Sequence, residues 1–220
     1  MSDFTVSGHL NSNFNDIADA IIAAGKTVYA NGWVPATSGN FSCRYSDDAI
    51  AITVSGQHKG KLDRDGLMIV NMKGVSECSR RSSAETGLHL ALYKRYDWAG
   101  CVLHVHSLST IVLSRLCADS IRLRGMELFK AFRGIDTHDL EIQVPVFDNS
   151  QNIGLLSRVV DRHLDTADII VPGYVIRGHG IYAWGETVDE TMRHLEAFDY
   201  LFQCELETMR ISNHERAGHI

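Results

Sequence analysis

Apolar residues at Phe14, Ile17, Ala18, Ile21, Val28 and Tyr29 recur at helical spacing, and Asn31-Gly32 after them reads as a helix stop. A loop from Trp33 to Asn40 follows. Phe41–Tyr45 and Ile50–Val54 read as short strands around an Asp47-Asp48 turn, and Leu67–Asn71 as another, after a loop over Ser55–Gly60. Ser82-Ser83-Ala84-Glu85 predicts a helix start that runs to about Tyr96, with Ser82 as N-cap and Glu85 three residues on. Cys101–His106 is an apolar strand, Ser107–Cys117 a helix, Glu141–Phe147 a strand and Asn152–Leu164 a helix. Ile169–Ile176 and Ile181–Trp184 are strands. Thr187 and Glu190 open a long last helix whose apolar stripe is Val188, Met192, Leu195, Phe198, Phe202, Leu206 and Met209. Hairpins mixed with helices predict an α/β fold, a largely antiparallel central sheet with helices on both faces. No linker or repeat divides the chain, so residues 1–220 read as a single domain, with polar residues 1–12 frayed.

Composition narrows the partners. At 220 residues the chain can bury a sizeable core. A net charge of −6 speaks against a general nucleic-acid binder. Arg80-Arg81 and the Arg122/Arg124 pair are too short for a polybasic membrane patch, and no run nears the roughly 20 apolar residues of a membrane span. No N-terminal stretch reads as a signal peptide. The five cysteines are odd in number and show no C-x-x-C, so Cys101 and Cys204 read as buried thiols and a reducing cytoplasm as the compartment.

Candidate chemistry gathers at His104-Val105-His106. Alternate residues of a strand share a face, so His104 and His106 project together. A third histidine, His179, is flanked by Gly178 and Gly180, which suits a ring presented by a tight backbone path. Three imidazoles would leave zinc its full charge and an open position. Three loops rich in small and hydroxylic residues could converge on an anion: Gly39 and Asn40 in Thr37-Ser38-Gly39-Asn40, Ser55-Gly56, and Ser82-Ser83. Lys59 would add a charge. Taken singly, each of these loops is equally an ordinary turn. Glu85 reads as a helix-capping residue, and it also lies one turn before His89 on the same helix face. Glu127 lies among Met126, Leu128 and Phe129, whose apolar side chains would raise its pKa and suit it, rather than Glu85, to be the main proton-transfer residue.

The ordered set T-S-G-N, V-S-G, S-S-A-E, H-V-H and R-G-H-G resembles the class II aldolase family of zinc-dependent sugar-phosphate enzymes, from about Asp16 to Ile211. The resemblance implies a three-layer α/β/α fold and one zinc per chain on His104, His106 and His179. It implies an acid/base role for Glu127 and a homotetramer with sites near subunit interfaces. Glu85 stands where the aldolases keep a catalytic glutamate and some dehydratases a cysteine, so catalysis, metal ligation and helix capping stay open for it. The runs around Gly32–Asn40, Ser55–Gly60, Glu127 and Arg177–Gly185 point within the family to a hydro-lyase acting on a phosphorylated methylthio-ketose. The alternatives are an aldolase or epimerase of the fuculose- or ribulose-phosphate type and a non-catalytic interaction domain on the same fold.

Overall fold

The computed structural model describes residues 13–76, 78–166 and 171–217. The frayed segment expected at 1–12, and the start of the strand expected from Ile169, lie outside them. Helix α1 (Phe14–Ala30) opens where the Asn13 side chain accepts from the Asn15 N–H at 3.1 Å. It stops at Asn31, and Gly32 takes a φ of 73°, which only glycine adopts without a Cβ clash. Its apolar stripe is buried at Ile17, Ala18, Ile21 and Val28, half-buried at Phe14 and exposed at Tyr29, which leans on His58.

Strands β1 (Asn40–Ser46), β2 (Ala49–Thr53) and β3 (Leu67–Asn71) form an antiparallel meander. Strand β4 (Cys101–Val105) lies between β1 and the distant β8 (Gly180–Gly185), antiparallel to both. Beyond β8 come β7 (Gly173–Ile176), β6 (Glu141–Phe147) and the edge strand β5 (Ser120–Arg124). Among the described strands only β6 and β7 pair in parallel, and helix α4 (Ile153–Thr166) makes the crossover between them.

Alternation along β4 sends Cys101, Leu103 and Val105 to one face and Val102 to the other. The first face is covered by α1, α3 (Leu108–Leu116) and α5 (Val188–Ala217), which bury Val28, Leu113, Phe198 and Phe202. The second is covered by α2 (Thr86–Arg95) and α4, which bury Leu88, Leu92, Tyr93, Leu156 and Val160. The result is the expected three-layer α/β/α arrangement around a largely antiparallel sheet.

Three expectations change. Strand β5 has no counterpart in the sequence reading: Ile121 and Leu123 are buried, while Arg122 and Arg124 face solvent as a surface pair should. Cys204 is half-buried rather than buried, unlike Cys101. Helix α2 begins at Thr86, later than Ser82. Among the described residues no helix is long and apolar enough to cross a membrane.

Candidate metal centre and active site

His104 lies one residue before the end of β4 and is fully enclosed. Its Nδ1 lies 3.0 Å from the carbonyl of Ile181 on β8, so Nδ1–H donates and Nε2 is left with its lone pair. Tyr182 stacks beneath the ring at 4.1 Å. His106 lies one residue past the strand, where its N–H donates to the Trp33 carbonyl at 2.7 Å. His179 sits in the turn between β7 and β8. Gly178 there has a φ of 63°, and its N–H donates to Ser114 Oγ at 3.0 Å. Arg177 ties the same turn to the C-terminal end of α3, donating to the carbonyls of Ser114, Cys117 and Ala118.

These elements bring one ring nitrogen from each of His104, His106 and His179 to within 4.8 Å of one another. His104 Nε2 and His106 Nε2 are 2.9 Å apart. Burial, then the neighbouring imidazoles, hold His104 well below the ordinary histidine pKa, and burial pulls His106 down to about 4. Neutral rings with converging lone pairs are what a borderline-soft divalent metal requires. The donor set therefore fits a three-histidine metal site.

Glu85 completes this cluster. Its Oε2 lies 3.5 Å from His104 Nε2 and its Oε1 3.4 Å from His179 Nε2. The expected capping box does not form. Glu85 occupies the N-cap position of α2 but makes no side-chain cap, because the carboxylate is turned toward the histidines. Asn40 Nδ2 donates to Glu85 Oε2 at 2.8 Å and to Ser83 Oγ at 3.2 Å. Asn40 is in turn paired through Oδ1 with His89 Nε2, the buried histidine that the sequence places one turn after Glu85 without giving it a role.

A polar cavity of about 180 Å³ opens beside the cluster. Gly39, Asn40, Ser55, Gly56, Lys59 and Ser83 all line it, with Glu85 and His106 at its wall. Ser82 is the exception among the expected anion-binding residues. It is extended and bridges Val54 on the backbone, so it neither caps α2 nor lines the cavity. Lys59 is almost fully buried and donates to the carbonyls of Thr37 at 3.0 Å and Gln57 at 2.7 Å. Burial pulls its pKa down to about 8. Ala36 and Thr37 take φ values of 51° and 68°, a strained path for residues with a Cβ.

Glu127 does not sit as its neighbours suggested. It begins a short 3-10 turn, Glu127–Ala131, that sends Phe129 into the core and Glu127 outward. The carboxylate is exposed and paired with Lys130 and, at 3.2 Å, His138. The Lys130 hydrogen bond holds its pKa below the usual carboxylate value, opposite to the expected rise. Within its own chain none of its ion-pair partners belongs to the histidine cluster.

A sheet covered on both faces, two imidazoles at the end of β4, a third in the β7–β8 turn and a carboxylate beside them make an α/β/α fold with a candidate three-histidine metal site. The family model for the class II aldolase and adducin N-terminal domain matches residues 19–206, and the chain belongs to that family. A methylthioribulose-1-phosphate dehydratase from Marinobacter nauticus is 48% identical over 203 residues, covering 88% of this chain and 94% of its own. One of the same name from Stenotrophomonas maltophilia is 45% identical over 212 residues, covering 95% and 99%. Among solved structures, L-fuculose-1-phosphate aldolase from Thermus thermophilus shares the fold, with a TM-score of 0.74 at 22% identity over 91% of this chain and 99% of that one.

Proposed function

We propose that this chain is a zinc-dependent hydro-lyase of methionine salvage that takes water from 5-methylthioribulose 1-phosphate and yields 2,3-diketo-5-methylthiopentyl 1-phosphate. The observation that carries this reading is the convergence of His104, His106 and His179 beside Glu85 and the Lys59-lined cavity. The high identity to relatives of that name, over nearly their full length, supports the substrate.

Zinc on the three histidines would act as a Lewis acid toward the substrate's carbonyl and hydroxyl oxygens. The protein's share is distinct. Lys59, with the backbone around Gly39, Ser55 and Gly56 and the hydroxyl of Ser83, holds the phosphate. Asn40 pins one oxygen of Glu85, and the other oxygen takes the proton from carbon 3. The carbon 4–oxygen bond then breaks with protonation of the departing hydroxyl, and the enol left behind becomes the diketone. We assign that second proton to Glu127 of a neighbouring subunit in a homotetramer, where the exposed carboxylate would exchange its surface pairing with Lys130 and His138 for the adjacent site. The free thiols of the described residues suit a reducing cytoplasm.

The test is to load the protein with zinc, add methylthioribulose 1-phosphate and follow the diketone. Cleavage of a carbon–carbon bond instead would move the chain to the aldolase reading, which the position of Glu85 beside the histidines also accommodates. Elemental analysis addresses the non-catalytic alternative: a protein purified without stoichiometric metal, and unable to take it up, is an interaction domain.

A further inference from the structure

We propose that His89 is a positioning residue: together with Ser42 it fixes which end of the Asn40 amide faces Glu85. The proposal deepens the lyase reading above and rests on it for its kinetic arm alone.

His89 is fully buried on the inner face of α2, and its two ring nitrogens have different partners. Nδ1 lies 2.7 Å from Ser42 Oγ, and Nε2 meets Asn40 Oδ1. Glu85 and Tyr93, at its two ends, set the direction of this chain. The Glu85 carboxylate only accepts, so Asn40 turns Nδ2 to it and Oδ1 to His89. The Tyr93 phenol is fully buried, and burial keeps it protonated. Its hydrogen is shared between the Ser42 carbonyl and Ser42 Oγ, each 2.9 Å away. That leaves the Ser42 hydroxyl hydrogen to donate to His89 Nδ1. A neutral imidazole carries one N–H, so that hydrogen sits on Nε2 and donates to Asn40 Oδ1. Burial keeps the ring neutral, with a pKa of about 3.

The consequence falls on Asn40. With Oδ1 held by His89, Nδ2 is the end that reaches Glu85 Oε2 and Ser83 Oγ. The flipped amide would set its carbonyl oxygen against a carboxylate oxygen, two acceptors with no hydrogen between them, and would turn its NH2 toward the His89 N–H. His89 is neither one of the cavity-lining residues nor one of the three clustered histidines, and acts through Asn40.

The experiment uses the full chain with zinc bound. Histidine ring nitrogens are labelled and observed by NMR, and the His89 signals are assigned by their loss in His89→Gln. The expected pattern is a neutral ring protonated at Nε2. Protonation at Nδ1 overturns the proposal. In parallel, His89→Phe at matched zinc content should lose kcat by about 10–100-fold with little change in KM. His89→Gln, whose amide N–H can donate to Asn40 Oδ1, should recover most of that loss. Wild-type kcat in the Phe variant, or no recovery with Gln, overturns it. Should the Phe variant not fold, Ser42→Ala is read in the same way. If wild-type protein forms no diketone, the lyase reading fails while the NMR measurement still decides the role of His89.

Discussion

Glu85 and Glu127 carry the same functional group and differ in everything around it. Glu85 is held between Asn40 and two histidines, whereas Glu127 stands in solvent against Lys130 and His138. With zinc content matched, Glu85→Gln is expected to lower kcat by about 100-fold or more while the protein stays folded. Glu127→Gln should lower kcat only in the assembled oligomer. Near-normal turnover in Glu85→Gln would reverse the assignment. His89 gives a second prediction at this scale. Its folded pKa of about 3 lies below the ordinary 6.5, so between those values the unfolded chain binds a proton that the folded one refuses. Stability therefore falls as pH drops through that window, by at most about 1.4 kcal/mol per pH unit from this group. His104 and His106 act in the same direction. Urea titrations of metal-free protein should show a shallower acid loss in His89→Gln than in wild type, and equal slopes would contradict the burial of a neutral His89.

At the scale of elements, the histidine cluster depends on two glycines that let backbones cross closely. A Cβ on Gly180 would lie 2.2 Å from the Val105 carbonyl oxygen and 2.9 Å from His106. One on Gly39, whose φ is 77°, would lie 2.6 Å from the His104 carbonyl oxygen. Gly180→Ala should therefore part β4 from β8, costing about 1–3 kcal/mol and reducing zinc content. Wild-type zinc and stability in that variant would show that the crossing can relax. Much of this was legible beforehand. Helix α1, the β3 and β6 spans and the shared direction of His104 and His106 follow from local periodicity, and the three loops from their small residues. What stayed hidden was set by distant contacts. Ser82 is drawn into an extended bridge with Val54, so α2 starts late and Glu85 is released from capping. Of the apolar neighbours of Glu127, Met126 and Phe129 turn inward three residues apart, while Leu128 stays exposed beside the carboxylate. Strand β5 gains its identity only by pairing with β6.

For the whole molecule, the cluster is held by the sheet rather than by a metal. His104 is fixed by the Ile181 carbonyl and by Tyr182, and His179 by the turn that Arg177 and Ser114 secure. Chelation should therefore leave the far-UV circular dichroism unchanged while lowering Tm. The expected loss is about 2.7 kcal/mol relative to protein in zinc at 100 times its Kd. Collapse of the secondary structure on chelation would mean that the metal builds the site.

The pairing of β4 with β8 carries a consequence for the order of events in folding. His104 meets its Ile181 partner across 77 residues of chain, so closing that loop is a long-range step with a large entropic cost. The binding nitrogens assemble only once this closure is made. A metal held by these nitrogens would therefore arrive after the barrier, at a site with no earlier counterpart in the chain. Refolding followed by stopped flow should proceed at the same rate with and without zinc, and the metal should act by slowing unfolding, as a stabilising contact absent from the transition state does.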